Sequence, residues 1–262
     1  MIQGRKKWKL LARRALAERL SLPILATIVV SLLNLLSGSL GAYLFPATSI
    51  LNRVLSEVFA FVITLVLCVF EAGMYYMFLN MARNREYSMG DLLYFFRNQP
   101  DRVIAASFVL ALIAWVTSLP ASIYQYRMPV YTDVLQMQSY ESYLLQQMQS
   151  YETYLLLFGV GLLVKLVATM PFTLSYYLLA DRPEIGGFEA LRISAGMMKG
   201  HMLEYLLLQA SFLPWLLLTF PTMYLSMLWT MPYMEMTNVM FYRELTGELT
   251  AQAEGSESYT NW

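Results

Sequence analysis

An all-α bundle of membrane helices is the fold this sequence predicts, and three observations predict it. The first is composition: of 262 residues, 58% are hydrophobic and only 14% charged, with a mean hydropathy of +0.48. A soluble domain carries about 25% charged and about 45–50% apolar residues. The second is run length, because several apolar runs reach the roughly 20 residues that a helix needs to cross a bilayer. The third is sidedness: lysine and arginine gather in alternate connecting segments, as they do in chains that thread a membrane. The expectation is a polytopic bundle.

Taken in chain order, six apolar segments can be drawn, at 21–45, 58–82, 103–124, 153–180, 203–220 and 222–242. The basic stretch before the first is followed by about 25 apolar residues, longer than the about 7–15 of a cleaved signal, so it reads as an uncleaved helix. The last two segments share a tight turn at Thr219-Phe220-Pro221-Thr222 and carry Pro214 and Pro232. Proline inside such a helix frees a carbonyl that a neighbour must satisfy, which leaves a re-entrant pair open as an alternative to two full spans.

With the N-terminus inside, 15 of the 18 basic residues lie in inner segments, from Arg5 to Arg243. Only Arg53 and Arg127 lie outside, and Lys165 falls within a span. Both termini are therefore expected in the cytoplasm.

Residues 1–20 set Arg5, Lys6, Lys7, Lys9, Arg13, Arg14 and Arg19 against a single acid, Glu18, with Trp8, Leu11, Leu16 and Leu20 along one side of a helix. One reading is an amphipathic helix on the anionic inner leaflet, with Arg5, Lys6, Lys7, Lys9, Arg13 and Arg14 as lipid contacts. The plainer reading is a positive-inside anchor for the first span. In the inner loop 83–102, Ser88 and Asp91 form a capping box that opens a short interfacial helix. The inner loop 181–202 repeats that design, with Gly200 at the position of a C-terminal cap.

Sliding the chain by 98 residues pairs Ala82 with Ala180, Glu86 with Glu184, Asp91 with Glu189 and Leu93 with Leu191. Spans two–three and four–five thus read as parallel copies of one helical unit, or as two answers to the same amphipathic demand.

The outer loop 125–152 holds a tandem repeat, Met137-Gln138-Ser139-Tyr140-Glu141 recurring as Met148-Gln149-Ser150-Tyr151-Glu152 with a period of 11 residues. That period is three helical turns, so Met137, Tyr140, Leu144, Met148, Tyr151 and Leu155 share one stripe. The stripe is either a docking surface for an outer partner or the by-product of a local duplication. Residues 246–262 are polar and read as a cytoplasmic tail, which leaves 21–245 as the membrane domain.

Classical enzyme chemistry is poorly supplied. The formal charge is zero, with 18 basic and 18 acidic residues, so no basic field points to nucleic acid. Cys68 and His201 each stand alone, which removes metal sites needing two or more such ligands. No phosphate loop or nucleophile elbow is present. No enzyme, cofactor or metal is expected, and the partners expected are the bilayer together with other membrane proteins or further copies of the chain.

Ionisable residues within spans are functional candidates by default, because a central charge costs about 2.5–3.5 kcal/mol to insert. Glu71, Lys165 and Glu235 qualify. Each lies about 12 to 13 residues from the outer end of its span, which at about 1.5 Å per residue sets all three near one depth. They suit a polar translocation site, with Glu71 pairing Lys165; equally, they suit a structural ion pair that fixes helix packing.

Finally, Leu178-Leu179-Ala180-Asp181-Arg182-Pro183-Glu184, Glu189-Ala190-Leu191 and Met198-Lys199-Gly200-His201 resemble the domain-of-unknown-function 975 family of bacterial integral membrane proteins. The likeness extends through Ser211-Phe212, Trp215, Trp229, Pro232-Tyr233, Thr237 and Phe241-Tyr242-Arg243-Glu244-Leu245, and upstream through Phe78-Leu79, Ala82-Arg83, Ser88, Asp91-Leu92 and Phe95-Phe96. It implies a multi-spanning protein of the bacterial cell membrane and carries over no catalytic residue. The family's glycine-containing tip between the last two spans is replaced here by Phe220-Pro221-Thr222-Met223. Three functions stand: a membrane adaptor or scaffold first, then a small-solute or lipid carrier using the three intramembrane charges, and least a lipid-modifying enzyme.

Overall fold

The computed structural model describes residues 2–17, 19–46, 49–127, 140–219 and 221–250, and among them every regular element is a helix. In order these are α1 (Ile2–Leu16), α2 (Ser21–Leu44), α3 (Ile50–Ala82), a 3-10 turn (Met89–Leu93) running into α4 (Tyr94–Arg97), α5 (Pro100–Arg127) and α6 (Tyr140–Thr169). A second 3-10 turn (Met170–Phe172) leads to α7 (Ser175–Asp181), followed by α8 (Gly187–Met198), α9 (Met202–Ala210), α10 (Leu213–Leu217) and α11 (Met227–Leu245). Four stretches are long and apolar enough to cross a membrane: Ser21–Gly41, Ile50–Ala82, Pro100–Gln125 and Met148–Asp181. Their apolar side chains are widely exposed, Leu35, Val58, Leu163 and Val167 each by more than half. Exposed faces of that kind need lipid or protein to cover them.

The chain divides into two compact units, 1–108 with 171–262, and 109–170. In the first, α3 is the central element. It packs against α2, α7 and α11 and against the 3-10 turn at Met89–Leu93. Gly73 makes the last contact feasible, because a Cβ there would overlap the Leu92 carbonyl. The core collects large side chains buried to completion, among them Phe78, Phe95, Leu174, Leu178, Phe212 and Phe241. In the second unit, α6 approaches the later part of α5 at Gly161, where a Cβ would crowd the Thr117 carbonyl.

Two expected spans are interrupted. The fourth runs unbroken only to Thr169, because Pro171 has no N–H to continue the ladder. Ser194 of α8 bridges that break, its Oγ donating to the Pro171 carbonyl at 2.8 Å and accepting from the Leu174 N–H at 3.1 Å. The fifth is split into α9 and the short α10, which restarts with Pro214 in its first turn. The sixth is a continuous 19-residue α11 with Pro232 inside it.

Both local signals read in the loops 83–102 and 181–202 are present. Ser88 and Asp91 form the capping box, with Gly90 N–H donating to Ser88 Oγ at 3.2 Å and Ser88 N–H to Asp91 Oδ2 at 3.3 Å. Gly200, just past α8, has φ +85°, the left-handed value of a helix stop. The 98-residue offset also reappears in the backbone, since the helical segments that follow the two inner turns start at Met89 and at Gly187.

The apolar face of α1 is covered by protein. Trp8, Ala12 and Leu16 are buried, and the Trp8 ring meets Phe241 edge-on at 5.0 Å. An amphipathic stripe does not specify whether lipid or another helix will cover it; here α11 does. The packing also continues past Leu245, where the sequence places the start of the tail: Leu249 is buried and Thr246 Oγ1 donates to the Arg243 carbonyl.

Candidate functional site

Two polar groups are built side by side in the first unit. The first is an ion-pair plate. Arg83, directly after α3, grips Asp181 at the end of α7 with both guanidinium arms, the Nη2–Oδ2 arm at 2.8 Å, and also donates to both oxygens of Glu248. Arg243, buried on α11, donates from Nε to Glu248 Oε2 at 2.8 Å and from Nη1 to the Ala82 carbonyl at 2.8 Å. Tyr242 completes the set, its hydroxyl donating to Asp181 Oδ2 at 2.7 Å. Burial alone would raise the Glu248 carboxyl; the hydrogen bonds from Arg83 and Arg243 outweigh it and hold it below the usual carboxylate range. Burial likewise weakens the Arg83 charge, and Asp181 and Glu248 more than restore it.

Beside this plate lies a cluster of tyrosines around two carboxylates. Glu71 and Tyr75 share one face of α3 by their four-residue spacing. Tyr75 stacks on Tyr176 at 5.4 Å and meets Tyr177 edge-on at 5.3 Å. The Tyr177 hydroxyl donates to Glu235 Oε2 at 3.4 Å, and the Tyr177 ring lies 5.3 Å from Tyr242. Glu71 and Glu235 lie within range of each other's charge, and both are within range of Tyr75. Gln209 donates to Asn238 at 2.8 Å, and Ser107 is bonded to the Tyr176 hydroxyl at 2.8 Å. Side chains in contact thus run from Glu235 through Tyr177 and Tyr242 to Asp181 and the plate.

Of the three candidate charges, Glu71 and Glu235 both belong to the first unit and lie within range of each other's charge. Lys165 belongs to the second, where its side chain is exposed on α6. The outer stripe divides differently. Met137 lies outside the described residues, Tyr140 and Leu144 fall within α6, and Met148, Tyr151 and Leu155 are exposed on it by 61%, 54% and 62%. Four of the six basic residues proposed as lipid contacts touch protein groups. Lys7 pairs with Glu244 at 3.0 Å, Arg5 and Lys9 donate to the Leu207 and Ser211 carbonyls, and Arg13 lies 6.0 Å over the Tyr233 ring. Lys6, Arg13 and Arg14 are exposed. Among the described residues, no group of three or more His, Cys, Asp or Glu is placed to hold a metal.

The plate was missed by sequence reasoning. Its one signal was the 98-residue offset, which superposes Arg83 on Asp181.

A family model described as a protein of unknown function (DUF975) matches residues 1–248, nearly the whole described chain. The chain belongs to the DUF975 family. That match reaches well beyond the two regions in which the resemblance is visible by eye, and it takes in α1 as well as Glu248. No curated protein and no solved structure matches the chain. The family carries no established reaction, so function has to be argued from the geometry. DUF975 membership and four long apolar helices together make this a membrane protein.

Proposed function

We propose that this DUF975 protein is a multi-pass scaffold of the bacterial cell membrane, with both termini in the cytoplasm and no bond chemistry of its own. One observation carries the reading: its strongest charges are engaged with one another. Arg83, Asp181, Arg243 and Glu248 draw the ends of α3, α7 and α11 into one cross-linked plate, and Lys7 with Glu244 ties α1 to it. Such a plate gives rigidity, and its four charges are taken up by one another.

The sidedness rests on the 15 inner basic residues, and the Lys7–Glu244 contact between α1 and the end of α11 supports it. Six crossings, or four crossings with a re-entrant α9–α11, leave both termini on one side. The exposed stretch of the outer stripe, Met148, Tyr151 and Leu155, is the face offered to a membrane partner or to another copy. Purification in the native lipid annulus, with mass spectrometry of what travels with the chain, tests this. A stoichiometric protein partner, lost when Tyr151 or the basic N-terminus is altered, is the expected result; the absence of any partner counts against the scaffold.

A second reading, a small-solute or lipid carrier, is favoured by two carboxylates, Glu71 and Glu235, within electrostatic range of each other and of Tyr75. Its test is uptake into vesicles with Glu71, Lys165 and Glu235 neutralised one at a time.

A further inference from the structure

A cavity of about 550 Å³ lies between the C-terminal end of α1 and the α10–α11 segment. That is within the about 300–1,000 Å³ of pockets that hold small molecules. We propose that it holds an acyl chain of an anionic phospholipid, with the lipid phosphate at Arg13. The proposal needs only the membrane character of the chain, not the scaffold role.

The walls decide the tail. Leu16 and Leu20 line one side, and Trp215, Leu218 and Trp229 line the other. These last three are exposed by 46%, 44% and 52%, so the apolar lining continues onto an apolar surface. Paired tryptophans at the mouth of an apolar slot are suited to the boundary between headgroups and chains.

Two polar groups decide the head. Arg13 lines the cavity beside the Tyr233 ring and is exposed to its surroundings, so its remaining N–H groups can reach a phosphate. No carboxylate occurs among the described lining residues to compete for them. The second group is Ser226, which also lines the cavity. It is 9% exposed, and its Oγ is buried without a hydrogen-bond partner. A buried hydroxyl with nothing to bond is uncommon and calls for an explanation. An ester carbonyl below the phosphate is a suitable acceptor for it. Apolar walls with one cation and one orphan hydroxyl match a phospholipid more closely than a peptide, which would bring a row of backbone groups needing partners.

The test uses the full chain in nanodiscs of phosphatidylglycerol and phosphatidylcholine, equal in amount and identical in acyl chains, followed by detergent extraction and native mass spectrometry. Wild type should retain one lipid, phosphatidylglycerol over phosphatidylcholine by about fivefold, the ratio given by about 1 kcal/mol per basic residue. Arg13→Gln should bring that ratio close to one with total retained lipid unchanged. Leu218→Trp should lower retention of both lipids. Equal retention by wild type overturns the proposal, as does unchanged retention in a Leu218→Trp chain that elutes as folded protein. If Leu218→Trp fails to fold, the exposed Arg13→Gln decides alone: a ratio that stays at the wild-type value overturns the proposal.

Discussion

Arg83 and Asp181 form a two-armed ion pair between positions 98 residues apart, the offset that also separates the two inner helical starts at Met89 and Gly187. The ion pair thus joins two positions that the 98-residue offset superposes. Their side chains are only 12% and 21% exposed. Asp181→Asn should cost about 2 kcal/mol, between the values for surface and fully buried pairs. In detergent that lowers Tm by about 4–8 °C. A double-mutant cycle with Arg83→Gln should show non-additivity, since the two share one network.

The same plate confers a pH dependence. In the unfolded chain Glu248 titrates near its ordinary value of 4.5; in the folded chain, burial opposes and Arg83 and Arg243 outweigh it to hold the carboxyl lower. Unfolding then takes up a proton, so this stabilisation is complete above pH 4.5 and disappears as pH falls through the depressed value. Thermal melts through that acid window should fall more steeply for wild type than for Glu248→Gln.

Glycines in the apolar helices differ in what a methyl would meet. At Gly73 it overlaps the Leu92 carbonyl, a backbone atom that cannot swing aside, whereas at Gly38 nothing lies within 4 Å. Gly73→Ala should cost about 1–3 kcal/mol, and Gly38→Ala should be neutral or slightly stabilising. Folded yield by fluorescence-detected gel filtration reads both.

Met223 and Tyr224 take φ of 48° and 66° at the tip between α10 and α11. Met223 is 90% exposed, so its side chain has little packing to lose. Met223→Gly should relieve about 1 kcal/mol of left-handed strain, a rise in Tm of about 2–4 °C.

What could be read from the sequence follows from how each feature is encoded. Four of the six apolar spans, the Ser88–Asp91 cap and the Gly200 stop are local patterns that appear in the structure. Glu71 and Glu235 stood out because charge in an apolar run is conspicuous. The plate did not, because Arg83, Asp181 and Glu248 sit at helix ends, where charge is ordinary and pairing across the chain leaves no periodic trace. Nor could the stripe of α1 say that Phe241, rather than lipid, would meet Trp8.

The proposed topology sets the plate and both chain ends in the cytoplasm. Cysteine labelling tests it most directly, since the only native thiol, Cys68, is buried and replaceable by Ala. In that background, Lys6→Cys, Glu86→Cys and Ser49→Cys are treated with a membrane-impermeant maleimide on intact cells. Ser49→Cys should label at once, and Lys6→Cys and Glu86→Cys only after permeabilisation. Labelling of Lys6→Cys or Glu86→Cys in intact cells would contradict this topology.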